Sequence, residues 1–234
     1  MSQSKTALIT GGNRGIGFAI CQGLLEAGFG VVMGARSLEK GKEAAAKLDS
    51  SSAQVQVLEL DVASDASIDQ AARQLSQRCD RLDVLINNAG IYPDSGVDIL
   101  TIDRDLLMKT LNVNTLGTIR MTQAFLPLLE KADGARVINY SSGYGQLGGL
   151  SAGVPSYCLS KLAVNGATIM LADALRPKGI TVNAVDPGWV STDMGGESAP
   201  RTPEQGADTA VWLATHDDLK ESGKLWRDRR ETNY

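Results

Sequence analysis

Short apolar runs alternate along this chain with longer stretches whose apolar residues recur at helical spacing. The runs Thr6–Thr10, Gly30–Ala35, Val55–Leu60, Val84–Asn87, Arg136–Tyr140 and Ile180–Val185 predict strands, and a short further strand is expected at Lys224–Trp226. Between them, Ile16–Ala27, Leu38–Leu48, Ser67–Arg78, Asp103–Glu130, Pro155–Arg176 and Pro203–Thr215 predict helices. Apolar strands alternating with helices imply a parallel sheet covered on both faces. Right-handed crossovers then give a doubly wound α/β fold of about seven strands. No linker, low-complexity tract or fixed-period repeat interrupts the pattern, so one domain over 1–234 is expected. The stretch Trp189–Thr202 is irregular and rich in Gly, Ser and Pro. It follows a strand end, on the edge where such sheets bind ligands, and is expected to act as a lid. The plainer alternative is a surface loop.

Composition narrows the class. Hydrophobic residues are 43% and charged residues 21% of 234, enough for a large core without disorder. The net charge is −4 and no basic run occurs, so nucleic acid is not an expected partner. No stretch approaches the ~20 apolar residues of a membrane span. The polar lead Met1–Lys5 lacks the apolar region of a secretory signal. Cys21, Cys79 and Cys158 are isolated and read as reduced thiols, which fits a cytoplasmic protein. His216 is the single histidine, so it makes neither a triad nor a metal site alone, and no metal is expected.

Three features carry chemistry. The first is Thr10-Gly-Gly-Asn-Arg-Gly-Ile-Gly17, which joins the first strand to the first helix. Gly11, Gly15 and Gly17 allow a tight turn and close backbone approach, and Asn13 and Ile16 lie within it. A helix N-terminus there offers free N–H groups and partial positive charge to a pyrophosphate. A tight structural turn is the alternative, but the position after the first strand favours the cradle. The second feature is the end of the second strand, where Arg36 stands and no acid is present to take a ribose 2′-hydroxyl. Arg36 and Arg14 can instead meet a 2′-phosphate, which points to NADP(H). Asp61, followed by Val62, is either an adenine acceptor or the cap of the next helix.

The third feature is the pair Tyr157 and Lys161, spaced i, i+4 on one helix face. A tyrosine with its ordinary pKa near 10 is a poor base. A neighbouring ammonium is expected to lower that value and make the phenol a usable proton donor and acceptor. Asn87–Gly90, Asn139–Ser142 and Asp186–Thr192 all follow strand carboxyl ends, where this fold gathers its ligands.

Taken together, Thr10–Gly17, Asn87–Gly90, Asn114, Ser142, Tyr157–Lys161 and Pro187–Thr192 resemble the short-chain dehydrogenase/reductases, a Rossmann-like family. Arg14, Arg36 and the run Pro187–Met194 resemble its NADPH-dependent carbonyl reductases most. The resemblance implies reduction of an aldehyde, ketone or quinone by NADPH, in a monomer or homo-oligomer built through the two long helices. Tyr157 would protonate the carbonyl oxygen, Ser142 would hold it, and Lys161 would tune Tyr157 and bond the nicotinamide ribose. Asn114 would support a proton relay, with Asn112 the fallback. Asn88, Ala89 and Gly90 would line the adenosine ribose side, and Pro187, Gly188, Val190 and Thr192 the nicotinamide end. Tyr144 and Trp189 would line the substrate pocket with Ser142 and Tyr157. Ser142 stands further before Tyr157 than is usual in the family, with the extra residues inside Gly143–Gly153. Ser142 is preferred to Ser141 because Gly145 follows it in a Ser-x-x-Gly arrangement. The alternatives are a 3-oxoacyl thioester reductase of lipid synthesis and a non-catalytic NADP(H)-binding regulator.

Overall fold

The structure is a computed structural model that describes residues 4–48, 55–216 and 218–234. Met1–Gln3 of the polar lead lie outside the described residues. The elements run β1 (Thr6–Thr10), α1 (Gly15–Glu26), β2 (Gly30–Ala35), α2 (Leu38–Ala45), β3 (Val55–Glu59), α3 (Asp65–Ser76), β4 (Val84–Asn87) and α4 (Arg104–Leu111). They continue through α5 (Gly117–Leu129), β5 (Arg136–Tyr140), α6 (Pro155–Leu175), β6 (Thr181–Val185), α7 (Pro203–Thr215), β7 (Leu225–Arg227) and β8 (Arg230–Thr232).

The strands form one eight-stranded sheet in the order β3-β2-β1-β4-β5-β6-β7-β8. Alternation along each strand sends side chains to two separate cores. Ala7, Ile9, Met33, Ile86, Ile138 and Val185 pack against Ile20 and Leu24 of α1 and Ala210 and Leu213 of α7. Leu8, Val32, Leu85, Val137 and Val182 face Ile68 and Leu75 of α3, Phe125 of α5 and Leu175 of α6. Both sheet faces are therefore dry, as the apolar strands required. The strand order reverses between β1 and β4, which opens a crevice above their carboxyl ends.

The structure corrects the sequence expectation in four places. The sheet has eight strands, close to the about seven expected, and the last pairs antiparallel to β7. The helix expected over Asp103–Glu130 is two helices joined by a π-helical turn, Asn112–Leu116. Asp61 does not cap α3, because Ser64 does so by accepting from Ser67 N. The stretch Pro155–Lys178 is also apolar and long enough, by length and composition, to cross a membrane, contrary to the expectation of none. Half of its most apolar window is buried inside the fold, where α6 packs on the sheet.

Local caps close α2, α3, α4 and α7, through Ser37, Ser64, Asp103 and Thr202. The helices α1 and α6 have no such local side-chain cap. Both begin at the crevice.

Candidate active site

One cleft of about 1750 Å³ runs along the carboxyl edge of the sheet. The glycine turn forms one wall. Gly11 and Gly15 take positive φ of 64° and 52°, a region that side chains disfavour. A Cβ on Gly17 would stand 2.2 Å from the Gly11 carbonyl oxygen, so only glycine lets α1 start this close to the turn. Asn88 braces the turn by donating from Nδ2 to the carbonyls of Thr10 at 3.0 Å and Gly11 at 3.3 Å. Thr10 Oγ1 in turn accepts from Asn88 N at 3.0 Å and Ala89 N at 2.9 Å. The uncapped N-terminus of α1 is thus held open as an anion cradle, and its residues fit a dinucleotide pyrophosphate.

Every residue expected to hold the cofactor lines this cleft. Gly11, Asn13, Arg14, Gly15, Ile16 and Gly17 lie along the turn, and Arg36, Asp61 and Val62 follow the ends of β2 and β3. Asn88, Ala89 and Gly90 follow β4, and Pro187, Gly188, Val190 and Thr192 follow β6. Sequence reasoning missed Lys40, in the first turn of α2 and in the same wall as Arg36. Arg14 pairs with Asp193 of the 189–202 segment, which therefore reaches across the turn. That segment is folded on itself: Ser191 N donates to Arg201 O at 2.8 Å, and Trp189 Nε1 to Gly195 O at 2.8 Å.

Tyr157, Lys161 and Ser142 converge at the opposite end of the cleft. The Ser142 hydroxyl stands close enough to the Tyr157 phenol to hold its pKa down. Ser142 Oγ is held by the Tyr144 N–H at 3.2 Å. Ser141 has its hydroxyl in the core, where it bonds Asn165 Oδ1 at 2.6 Å. Lys161 Nζ lies 5.6 Å from the centre of the Tyr157 ring and donates to Tyr140 O at 2.6 Å. Tyr92 and Tyr144 set their rings edge-on to Tyr157, at 4.7 and 6.2 Å between centroids. Trp189 and Tyr144 line the same cleft with exposed rings.

The electrostatics differ from the sequence expectation. Burial pushes the Tyr157 phenol well up, the nearby Ser142 hydroxyl pulls it down, and the Asp186 carboxylate adds to the rise. Burial also lowers Lys161 from 10.5 to about 8. Both groups are enclosed, so each loses hydration of its charged form, which is the largest cause of both shifts. Asp186 was not singled out from sequence. It is buried after β6, accepts from Gly188 N at 2.9 Å, and pairs with Arg227 at 3.2 Å.

Asn114 sits behind the cleft rather than in its lining. Its Oδ1 accepts from Ile91 N at 2.8 Å, and its Nδ2 donates to Ile91 O and Ser160 Oγ, both at 2.9 Å. A Cβ placed on Gly90 would lie 3.3 Å from Asn114 Oδ1 and 3.7 Å from Lys161 Nζ, so the two residues flank Gly90. Asn112 does line the cleft, at a different point, where its Nδ2 donates to Ala63 O at 3.1 Å.

Strand order, glycine cradle and the serine–tyrosine–lysine group define a doubly wound oxidoreductase. The chain belongs to the short chain dehydrogenase family, whose model matches residues 5–203. It is 36% identical over 233 residues to the short-chain dehydrogenase anuI of Penicillium roqueforti, covering 93% of this chain and 92% of that one. Among solved structures it resembles the carbonyl reductase Sniffer of D. melanogaster, with TM-score 0.86, 31% identity and 96% and 97% of the two chains covered. It also resembles the NADPH-bound carbonyl reductase from chicken fatty liver, with TM-score 0.88, 28% identity and both chains covered in full, at 100%.

Proposed function

We propose that this chain reduces the carbonyl group of an aldehyde, ketone or quinone with NADPH. The observation that carries the reading is the convergence of Ser142, Tyr157 and Lys161 in the same cleft as the open N-terminus of α1. NADPH, when bound, supplies the hydride. Arg14, Arg36 and Lys40 hold its 2′-phosphate, and the Gly11–Gly17 turn its pyrophosphate. Asp61 and Val62 meet the adenine, Asn88, Ala89 and Gly90 the adenosine ribose, and Pro187, Gly188, Val190 and Thr192 the nicotinamide end. The likeness to carbonyl reductases, one of them NADPH-bound, supports the choice of cofactor and substrate.

In this reading Tyr157 holds a proton at its phenol oxygen and passes it to the carbonyl oxygen. The raised phenol suits a group that stays protonated until charge develops on the substrate. Ser142 keeps that oxygen in place. Lys161, still charged below pH about 8, stabilises the tyrosinate left behind and holds the nicotinamide ribose. Asn114 supports the path that returns a proton to Tyr157. The 189–202 segment closes over the cleft as a lid. Exposed Leu116, Leu159, Ile169 and Met170 on and beside the long helices fit self-association. The three free cysteines fit a reducing, cytoplasmic setting.

NADPH oxidation measured with ketones, aldehydes, quinones and acyl thioesters tests the assignment. Turnover of free carbonyls that is lost in Tyr157→Phe, with NADPH binding kept, is the expected result. Preference for the thioester would overturn the substrate class. Binding of NADPH with no turnover of any compound would make the chain a cofactor-binding regulator instead.

A further inference from the structure

Asp94 is a carboxylate with no exposure at all, on the loop after β4. Its Oδ2 accepts from the backbone N–H of Ser156 at 2.6 Å and of Tyr157 at 3.2 Å. Its Oδ1 is equally buried and meets no donor among the described residues. Burying a carboxylate with one oxygen unpaired is costly, so this placement calls for an explanation.

The geometry supplies one. Among the described residues, four other helices carry their cap on the residue that precedes them. The helix α6 begins Val154-Pro155, which offers no side-chain acceptor, and takes its cap from 62 residues earlier. The capped turn is the one that carries Tyr157. The capping loop also carries Tyr92, whose ring lies edge-on to Tyr157 at 4.7 Å. Two more bonds tie the same loop to the segment before α6, from Gly96 N to Gly153 O at 3.1 Å and from Ile99 N to Ala152 O at 2.9 Å. Ser156 is fastened on its other side to Thr110 of α4, with 3.0 Å between hydroxyls.

We propose that Asp94 is a positioning residue for proton transfer: by holding the Tyr157 N–H it fixes where the phenol stands against Ser142 and the substrate carbonyl. The idea rests on the role proposed for Tyr157. The loop that walls the substrate end of the cleft and the helix that supplies the proton are then one rigid unit. A change at Asp94 acts on the chemical step and leaves the cofactor end, carried by β1, α1 and β2, untouched.

The test compares Asp94→Ala, Asp94→Asn, Tyr157→Phe and Ser64→Ala, the last removing a remote cap on α3. Thermal unfolding, NADPH binding by nicotinamide fluorescence, and kcat with a saturating carbonyl substrate are read for each. Asp94→Ala is expected to lower kcat by about tenfold or more, since a small misplacement of a reacting group is that costly. NADPH affinity should stay within about twofold, which separates the chemical step from binding. Asp94→Asn should recover most of kcat, because its amide oxygen still accepts from Tyr157 N. Ser64→Ala should lose stability without loss of kcat. If Asp94→Ala merely loses stability as Ser64→Ala does, with kcat intact, the positioning role is wrong. An Asp94→Asn variant as slow as Asp94→Ala also overturns it. Should Asp94→Ala not fold, Asp94→Ser, with a shorter side chain, takes its place. An active Tyr157→Phe would overturn the role of Tyr157 itself, whereas an inactive Tyr157→Phe beside a fully active Asp94→Ala overturns only the role of Asp94.

Discussion

Lys161 donates from Nζ to the carbonyl oxygen of Tyr140, 2.6 Å away. Tyr140 ends β5, so the ammonium is pinned to the strand edge at the floor of the cleft. It is 5% exposed, and burial brings its pKa from 10.5 down to about 8. Two opposite pH trends follow. Reduction uses the charged lysine, so kcat/KM should fall as pH rises through about 8. Stability should rise over the same range, because the unfolded lysine keeps its proton up to about 10.5 while the folded one has released it. The full shift corresponds to about 3 kcal/mol. Lys161→Met should remove both trends. Rate profiles and urea unfolding at matched pH check this, and activity and stability declining together would assign the loss to unfolding.

The glycine turn makes a second prediction. Gly17→Ala places a methyl group 2.2 Å from Gly11 O and 2.6 Å from Asn88 Nδ2. Both atoms belong to the bonded brace between β1 and β4, which cannot open without breaking it. NADPH affinity should drop by about tenfold or more, since the N-terminus of α1 no longer meets the pyrophosphate squarely. Gly166→Ala in α6 is the contrast, with nothing within 4 Å of its added methyl. It should gain up to about 1 kcal/mol from helix propensity. Melting curves and cofactor titration of the two variants give the comparison.

Cofactor choice supplies a third. Arg36 and Lys40 sit in one wall of the cleft, while Arg14 is already paired with Asp193. Loss of a charge-assisted bond to a phosphate costs about 1.5–3 kcal/mol, or roughly ten- to a hundredfold in affinity. Arg36→Ser should therefore weaken NADPH by that factor and leave NADH nearly unchanged. Kd values for both nucleotides are the measurement, and equal loss with NADH would remove Arg36 from the 2′-phosphate site.

Much of this was readable from residue order, because the central strands β1, β2, β4, β5 and β6 are almost wholly buried and their ligand-binding ends carry distinct side chains. The π-helical turn at Asn112–Leu116 was not readable. The apolar spacing runs on from α4 into α5, and one wider turn leaves that periodicity almost intact. The strand β7 was expected, but β8, and with it the hairpin, was missed. Its turn places Asp228 and Arg229 at φ of 50° and 59°, where Asn-Gly or Asp-Gly is the recognisable signal. Asp94 escaped because its partners lie 62 and 63 positions away. The rise of the Tyr157 pKa escaped for a different reason, since spacing reveals the nearby lysine but not the burial.

The substrate end yields the last prediction. Tyr144 is 42% exposed and turns its ring edge-on toward Tyr157, 6.2 Å away. It follows Ser142 in the glycine-rich 143–153 stretch, so its backbone N–H orders Ser142 while its ring faces the cleft. An alanine keeps the N–H and removes only the ring. An aromatic contact of this kind is worth about 0.5–1.5 kcal/mol beyond area burial, or roughly two- to tenfold. Tyr144→Ala should thus raise KM for an aromatic ketone or quinone by that factor, with kcat nearly kept. KM for a short aliphatic aldehyde, which is too small to reach the ring, should not move. Measuring both substrates on the same preparation separates the two effects of this residue. A fall in kcat for both would mean that the ring, and not the N–H alone, holds Ser142 in place.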